Sequence, residues 1–289
     1  MDSNTQKTSH TDGRQMAVVD PQAEGSKKIR QPTGTKEWAT ETVNFCNGCS
    51  NACIYCYARY NSVTRYHRMS HEDWPNEVVR DHDVRKKRKR VDGQVMIPST
   101  HDITPGNIDA AETVLLKLLE AGNNILIVSK PQLECIKRLC DSLRPYKDQI
   151  LFRFSVGFVG ERARNFWEPN APTYKERLDC LRMACEFGFE TSVSAEPLLE
   201  PWRAKAIVDG LRPFITHSFW VGKLNELRAR TKWLYPDGHT EIDRLEQWQT
   251  DEKVSEVYET LKDDPLVRWK ESYKKVIGLA RPTTAGLDI

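Results

Sequence analysis

No run of apolar residues in this chain approaches the eighteen or so that a membrane-spanning helix requires. The polar N-terminal stretch also lacks the apolar core of a secretory signal. Net charge is nearly absent as well: 43 basic residues stand against 41 acidic ones. No overall field therefore commits the protein to nucleic acid or to a membrane surface, and any such preference must be local. These absences lead us to expect a cytoplasmic protein with no membrane partner. In that compartment eight cysteines are better explained by metal and reduced thiols than by disulfides.

The cysteines are unevenly spread. Cys49-Ser50-Asn51-Ala52-Cys53-Ile54-Tyr55-Cys56 places three thiols four and then three residues apart, with an aromatic residue just before the last. Thiolates are soft ligands that suit zinc, copper(I) or iron-sulfur clusters. Three of them can hold three irons of a [4Fe-4S] cube and leave the fourth without a protein ligand. A second reading adds Cys46 and makes a four-thiolate zinc knuckle, a non-catalytic interaction module. Against it, zinc sites of that type usually separate their two Cys pairs by a dozen or more residues, and here three intervene. A ferredoxin-like carrier would want a fourth ligand followed by proline, whereas Tyr57 follows Cys56. Cys46 then reads as a small buried residue. Cys135 and Cys140, like Cys180 and Cys185, lie five apart on predicted helices and so point about 140° apart. They read as helix-core thiols.

Residues 1–37 are polar, with few large apolar groups, a composition that cannot offset its ordering entropy. We expect a disordered or loosely draped arm there, a barrel-type domain over 38–241 and a helical extension over 242–289. Short apolar strands alternate with helical stretches, the pattern of parallel βα units. The strands are expected at 41–45, 95–97, 125–128, 150–156, 190–195 and 217–221. Helices are expected at 57–67, 108–121, 133–143, 174–187 and 203–211, then at 242–262 and 265–279. The fold expected is α/β: a partial TIM-type barrel of six βα units with parallel strands, plus C-terminal helices. In such barrels reactive groups gather at the C-terminal ends of the strands. Here those ends carry the cysteines, then Ser99 to Asp102, Ser129 and Lys130, Ser155, Ser194 and Glu196, and finally Lys223 and Asn225. The six consecutive basic residues Arg85 to Arg90 precede the second strand, which puts them near the opposite face. They read as a solvated turn or, less favoured, as a phosphate-binding run.

The cysteine spacing resembles that of the radical S-adenosylmethionine (SAM) superfamily, and residues from about Asn44 to Asn225 are similar to its spore photoproduct lyase-like branch. The resemblance implies a [4Fe-4S] cluster on Cys49, Cys53 and Cys56, with SAM chelated to the open iron. Reductive cleavage of SAM would then give a 5′-deoxyadenosyl radical that abstracts hydrogen from a substrate. It implies SAM contacts for Tyr55 and Tyr57, which flank the last cysteine, and for Lys130 and Ser155. Ser99-Thr100-His101-Asp102-Ile103 resembles the branch's Cys-Thr-Ser-Asp-Ile pattern, so His101 takes the place of a SAM-contacting serine. Further echoes are Glu168-Pro169, Arg177-Leu178 and Pro197. The resemblance also implies an electron donor such as flavodoxin or ferredoxin. One departure matters: Ser99 stands where the lyase has its hydrogen-donating cysteine, and a serine O–H bond is too strong to give up its hydrogen readily. The radical generator is thus expected without the DNA-lesion chemistry. No catalytic residue toward the substrate can be named, and the substrate stays open between small molecules and macromolecules. A nucleic-acid-modifying enzyme recruiting Arg85 to Arg90 is the alternative within the same class.

Overall fold

Runs rich in β-branched and aromatic residues, each bounded by turn formers, build the sheet. The computed structural model describes residues 1, 2 and 31–287. The chain divides into Met1–Arg30 and Gln31–Ile289, and the fold below is that of the second unit. Its strands are β1 (Glu41–Thr42), β2 (Cys46–Asn47), β3 (Val78–Val79), β4 (Gln94–Ile97), β5 (Asn124–Ser129), β6 (Ile150–Ser155), β7 (Glu190–Ala195), β8 (Ser218–Val221) and β9 (Val267–Trp269). Seven of them form one sheet in the order β1-β4-β5-β6-β7-β8-β9, every pair parallel. β2 and β3 form a separate antiparallel pair. The helices are α1 (Tyr57–Arg59), α2 (Asp81–Arg85), α3 (Ile108–Glu120), α4 (Leu133–Ser142), α5 (Glu161–Trp167), α6 (Tyr174–Glu186), α7 (Ala204–Leu211), α8 (Leu227–Thr231), α9 (Thr240–Gln247), α10 (Asp251–Leu261) and α11 (Glu271–Ile277). The sheet is that of an α/β partial barrel, with β1 and β9 left unpaired to each other at its edges.

Side-chain alternation along each strand separates two cores. Val95, Ile97, Ile125, Ile127, Phe152, Phe154, Val193, Phe219 and Val221 face outward into the main core with the helices. Helix α3 meets them with Ala111, Val114, Leu115 and Leu118, the spacing of one helical face. The alternate residues Met96, Leu126, Leu151 and Trp220 turn inward and pack with Trp38. Also in this register is Arg153, fully buried. Its Nε donates to Ser192 Oγ at 3.0 Å, and its guanidinium stands 4.7 Å from the Trp38 ring centroid. Small serines on β7 and β8 make room for it.

Several expectations need correction. The sheet has seven parallel strands rather than six, because Val267 and Trp269 alternate toward the core and pair with β8. Residues 265–279 are thus a strand and then α11, which stops at Gly278 with φ +77°. The stretch 242–262 is two helices, since Thr250 breaks it and caps α10 through the Lys253 N–H. Of the C-terminal residues, Val267–Trp269 join the sheet as its edge strand, between helices. The first strand covers only Glu41–Thr42, and α1 runs into a π-helical turn at Tyr60–Arg65. Of the polar arm expected over 1–37, residues 3–30 lie outside the described residues. Its end is folded: a 3₁₀ turn at Gly34–Glu37 buries Glu37.

That turn closes the gap between the sheet edges. Lys270, just past β9, is fully buried and lies 2.8 Å from Glu37 Oε1 and 2.8 Å from the Gly34 carbonyl. The Glu271 N–H donates to Glu37 Oε2 at 3.0 Å, and the Gly286 N–H to the Lys36 carbonyl at 2.9 Å. Among the described residues no helix is long and apolar enough to cross a membrane.

Candidate active site

At the C-terminal ends of the parallel strands lies a cavity of about 420 Å³, within the range of small-molecule sites. Cys49, Cys53 and Cys56 share one wall of it. Their loop leaves β2 through Gly48, whose φ of +80° and whose missing Cβ, 2.4 Å from the Asn76 carbonyl oxygen, both demand glycine. The Cys49 N–H donates to the Trp74 carbonyl at 2.9 Å, and the Ser50 N–H to Glu77 Oε1 at 2.9 Å. Glu77 also accepts from Thr104 Oγ1 (2.5 Å) and Asn107 Nδ2 (3.0 Å), which ties the cysteine loop to the segment between β4 and α3. Cys46 does not join the three. It packs into the main core, and its thiol donates to the Asn47 carbonyl at 3.3 Å. Among the described residues no three His, Cys, Asp or Glu side chains are grouped to hold a single metal ion.

Burial pushes the Cys49 thiol well up, and the neighbouring Asp102 and the other two thiols add to the effect. Cys53 is pushed up to about 12 by burial, against the pull of Lys130. Unligated, Cys49 and Cys53 hold their protons, and a metal centre that binds them must displace those protons. The donor set fits an iron-sulfur cluster: three thiols on one cavity wall, with room on their open side for a further, non-protein ligand.

Beside the thiols, the buried Asp102 and the largely covered Lys130 form a pair 3.6 Å apart. Burial opposes the charge on Asp102, but Lys130, the Asn51 amide (2.9 Å) and the Lys130 N–H (2.8 Å) outweigh it and hold the carboxyl below its ordinary range. Burial likewise opposes the charge on Lys130, and Asp102 more than restores it. The Cys49 thiol donates to Asp102 at 3.6 Å. Lys130 Nζ stands 5.8 Å from the Tyr55 ring centroid. The Tyr55 hydroxyl donates to Glu168, whose other oxygen is paired with Arg177. Arg177 is fully buried and donates to the Ser155 carbonyl at 2.9 Å. One chain of polar contacts thus runs from Tyr55 to the end of β6.

The profile of the Radical SAM superfamily matches residues 43–200, more than half of the chain. The chain belongs to the radical SAM superfamily. A curated relative, the uncharacterized protein ORF301 of Acidianus two-tailed virus, is 29% identical over 175 residues. That match covers 57% of this radical SAM chain and 56% of the relative, so it spans about half of the relative's length. Among solved structures, a spore photoproduct lyase variant with dinucleoside spore photoproduct aligns with a TM-score of 0.55 at 14% identity, over 84% of this chain and 79% of that one. Another lyase variant, with bound AdoMet and the dinucleoside photoproduct, gives 0.55 at 15% identity over the same shares. At these identities the likeness is one of fold.

In this radical SAM chain the cavity brings together all the candidate residues: the three cysteines, Tyr55, Tyr57, His101, Lys130 and Ser155. Their availability differs. His101 is 6% exposed; its Nε2 accepts from the Phe45 N–H at 3.3 Å and its Nδ1 meets the Asp102 carbonyl at 3.1 Å, so backbone occupies both nitrogens. Burial lowers its proton affinity, and the ring is a neutral support that joins the first two strand ends. Tyr57 is partly exposed and donates to the Ser99 carbonyl. Arg85 to Arg90 lie away from the cavity, at the N-terminal ends of β4 and β5, where Asn123 bonds the Lys89 carbonyl and the Val91 N–H.

Sequence reasoning missed Asn44, Asn51, Arg59 and Glu77. Asn44 Oδ1 accepts from the Ser99 and Thr100 N–H groups at 2.7 and 2.9 Å and fixes the loop after β4. Arg59 lies behind the cysteine loop, its Nη2 2.5 Å from the Cys53 carbonyl. Asn44 and Glu77 belong to no local motif and meet their partners only in three dimensions, whereas Asn51 lies inside the cysteine loop and Arg59 three residues beyond it, where spacing alone does not announce their contacts.

Proposed function

We propose that the protein is a radical SAM enzyme in which Cys49, Cys53 and Cys56 hold a [4Fe-4S] cluster and the adjoining cavity holds SAM and substrate. The observation that carries this is the sharing of one cavity, at the C-terminal ends of parallel strands, by three thiols and Lys130, which is paired with Asp102. When bound, the cluster and SAM supply a 5′-deoxyadenosyl radical, by reductive cleavage of the sulfonium C–S bond, for hydrogen abstraction from the substrate.

The chain's own residues position and shield. Lys130, kept charged by Asp102, pairs with the methionyl carboxylate of SAM. Ser155 offers a hydroxyl beside it, at a strand end held by Arg177. Tyr55 packs on the adenine, its ring fixed by the bond to Glu168. Trp38, Trp74 and Met96 on the cavity wall keep water from reactive species. Ser99 bonds Asn44 at 2.9 Å and gives no hydrogen back to a product radical, so that atom is returned by another group. An electron donor of the flavodoxin or ferredoxin type serves as partner. The substrate is not set by the fold.

The test is anaerobic reconstitution with iron and sulfide, then incubation with SAM and dithionite. Wild-type protein is expected to turn brown and release 5′-deoxyadenosine. Cys53→Ala is expected to lose both while keeping its far-ultraviolet circular dichroism. Full iron loading without 5′-deoxyadenosine would overturn the reading.

A further inference from the structure

We propose that Arg59 sets the electron affinity of the cluster, acting as a charge behind its loop rather than as a ligand. The inference rests on the cluster assignment above. Arg59 is 3% exposed. Its Nη2 donates to the Cys53 carbonyl at 2.5 Å, and its own backbone N–H donates to Cys56 Sγ at 3.5 Å. The guanidinium lies 4.1 Å over the ring of Trp233, which is anchored by its Nε1 donating to the Ile54 carbonyl at 3.3 Å. His71 stacks on the same indole at 4.2 Å and 11°. This cover keeps solvent from screening the charge.

What singles Arg59 out is its lack of a counter-charge. Among the described residues no carboxylate pairs with it, and its Nε is buried without an acceptor. Lys130, a cation on the cavity side of the thiols, is balanced by Asp102 at 3.6 Å. Burial works against the charge on Arg59, and the groups placed to offset it are Cys56, Cys53 and Cys49, which are anionic only as ligated thiolates. A buried cation without a partner is costly, and thiolate ligation of an anionic cluster supplies the partner it lacks. Each electron added to the cluster raises its negative charge, so a nearby unscreened cation favours the reduced state and raises the midpoint potential. The neighbouring Lys130–Asp102 pair is close to neutral and contributes little net field.

The experiment compares wild type, Arg59→Gln and Arg59→Lys after anaerobic reconstitution, by iron content and by redox titration followed through the electron paramagnetic resonance of the reduced cluster. Arg59→Gln removes the charge while leaving a polar side chain of similar shape near the loop. It is expected to hold wild-type iron with a midpoint shifted to more negative potential, and Arg59→Lys to return most of that shift. If Arg59→Gln loses iron, Arg59→Lys must retain the cluster near the wild-type potential. An unchanged midpoint in iron-replete Arg59→Gln overturns the inference, as does loss of the cluster in both variants, which would make Arg59 a folding residue only. A wild-type protein without a reducible cluster would instead remove the cluster assignment itself.

Discussion

Replacing Glu168 by alanine tests the polar chain that links Tyr55 to the end of β6. Glu168 is 2% exposed and Arg177 is fully buried, so the substitution strands a guanidinium without its counter-charge, which in buried sites costs about 3–5 kcal/mol. Arg177 keeps its bonds to the Pro172 and Ser155 carbonyls at 3.0 and 2.9 Å, which argues for the lower end. The Tyr55 hydroxyl also loses its acceptor, at roughly 1–3 kcal/mol if nothing replaces it. A loss of about 4 kcal/mol is expected, a large part of the roughly 5–15 kcal/mol that holds a typical domain together. Urea unfolding of the metal-free protein, followed by tryptophan fluorescence, measures it. Adding Arg177→Met removes the stranded charge and is expected to recover part of the loss, because two apolar groups are better tolerated than one unpaired ion. A cost below about 1 kcal/mol for Glu168→Ala would show that the pair behaves as a surface contact and would refute the reasoning.

Other outcomes follow from the same geometry. Asp264 is held below its ordinary range: burial opposes the charge, but Arg212, which donates to both carboxylate oxygens, and the Leu266 N–H outweigh it. Its contribution is therefore present above the unfolded carboxyl value of about 3.9 and disappears as pH falls through the lower folded value. Because Arg212 is partly exposed, Asp264→Asn should cost only about 0.5–1 kcal/mol at neutral pH and flatten the acid limb of a plot of melting temperature against pH. Gly157→Ala would bring a Cβ to 2.1 Å from the Pro197 carbonyl oxygen. Since the Leu199 and Glu200 N–H groups both bond to the Gly157 carbonyl, backbone must shift near Ser155. A loss of at least about 1–3 kcal/mol, read by thermal melting, and a lower 5′-deoxyadenosine yield are expected together.

The sequence made legible what local pattern encodes. β5 and β7 stand out as apolar or alternating runs, and α3 shows its buried face and its terminal glycine directly. The cysteine triad is a local motif, and the strand-end rule placed Lys130 and Ser155 beside it. β9 was missed because Val267-Arg268-Trp269 is three residues long and only pairing with β8 makes it a strand. The break at Thr250 was missed because a continuous helical stripe hides a cap. Arg153 read as an ordinary strand residue, since nothing in its neighbours announces Ser192, Trp38 and Trp220 around its guanidinium. Glu77 and Asn44 reach across 27 and 55 positions to their partners, distances at which spacing carries no information.

The clasp between Glu37 and Lys270 gives the sheet an unusual seam. Neighbouring strands elsewhere are zipped by ladders that part only if the backbone unravels, whereas here two side chains and a few main-chain bonds join the margins. Thr33, Gly34 and Trp38 belong both to this fastening and to the cavity wall. Residues that precede the first strand thus form part of the cavity wall, and removing them would take Trp38 out of the inner core and Glu37 away from the fully buried Lys270.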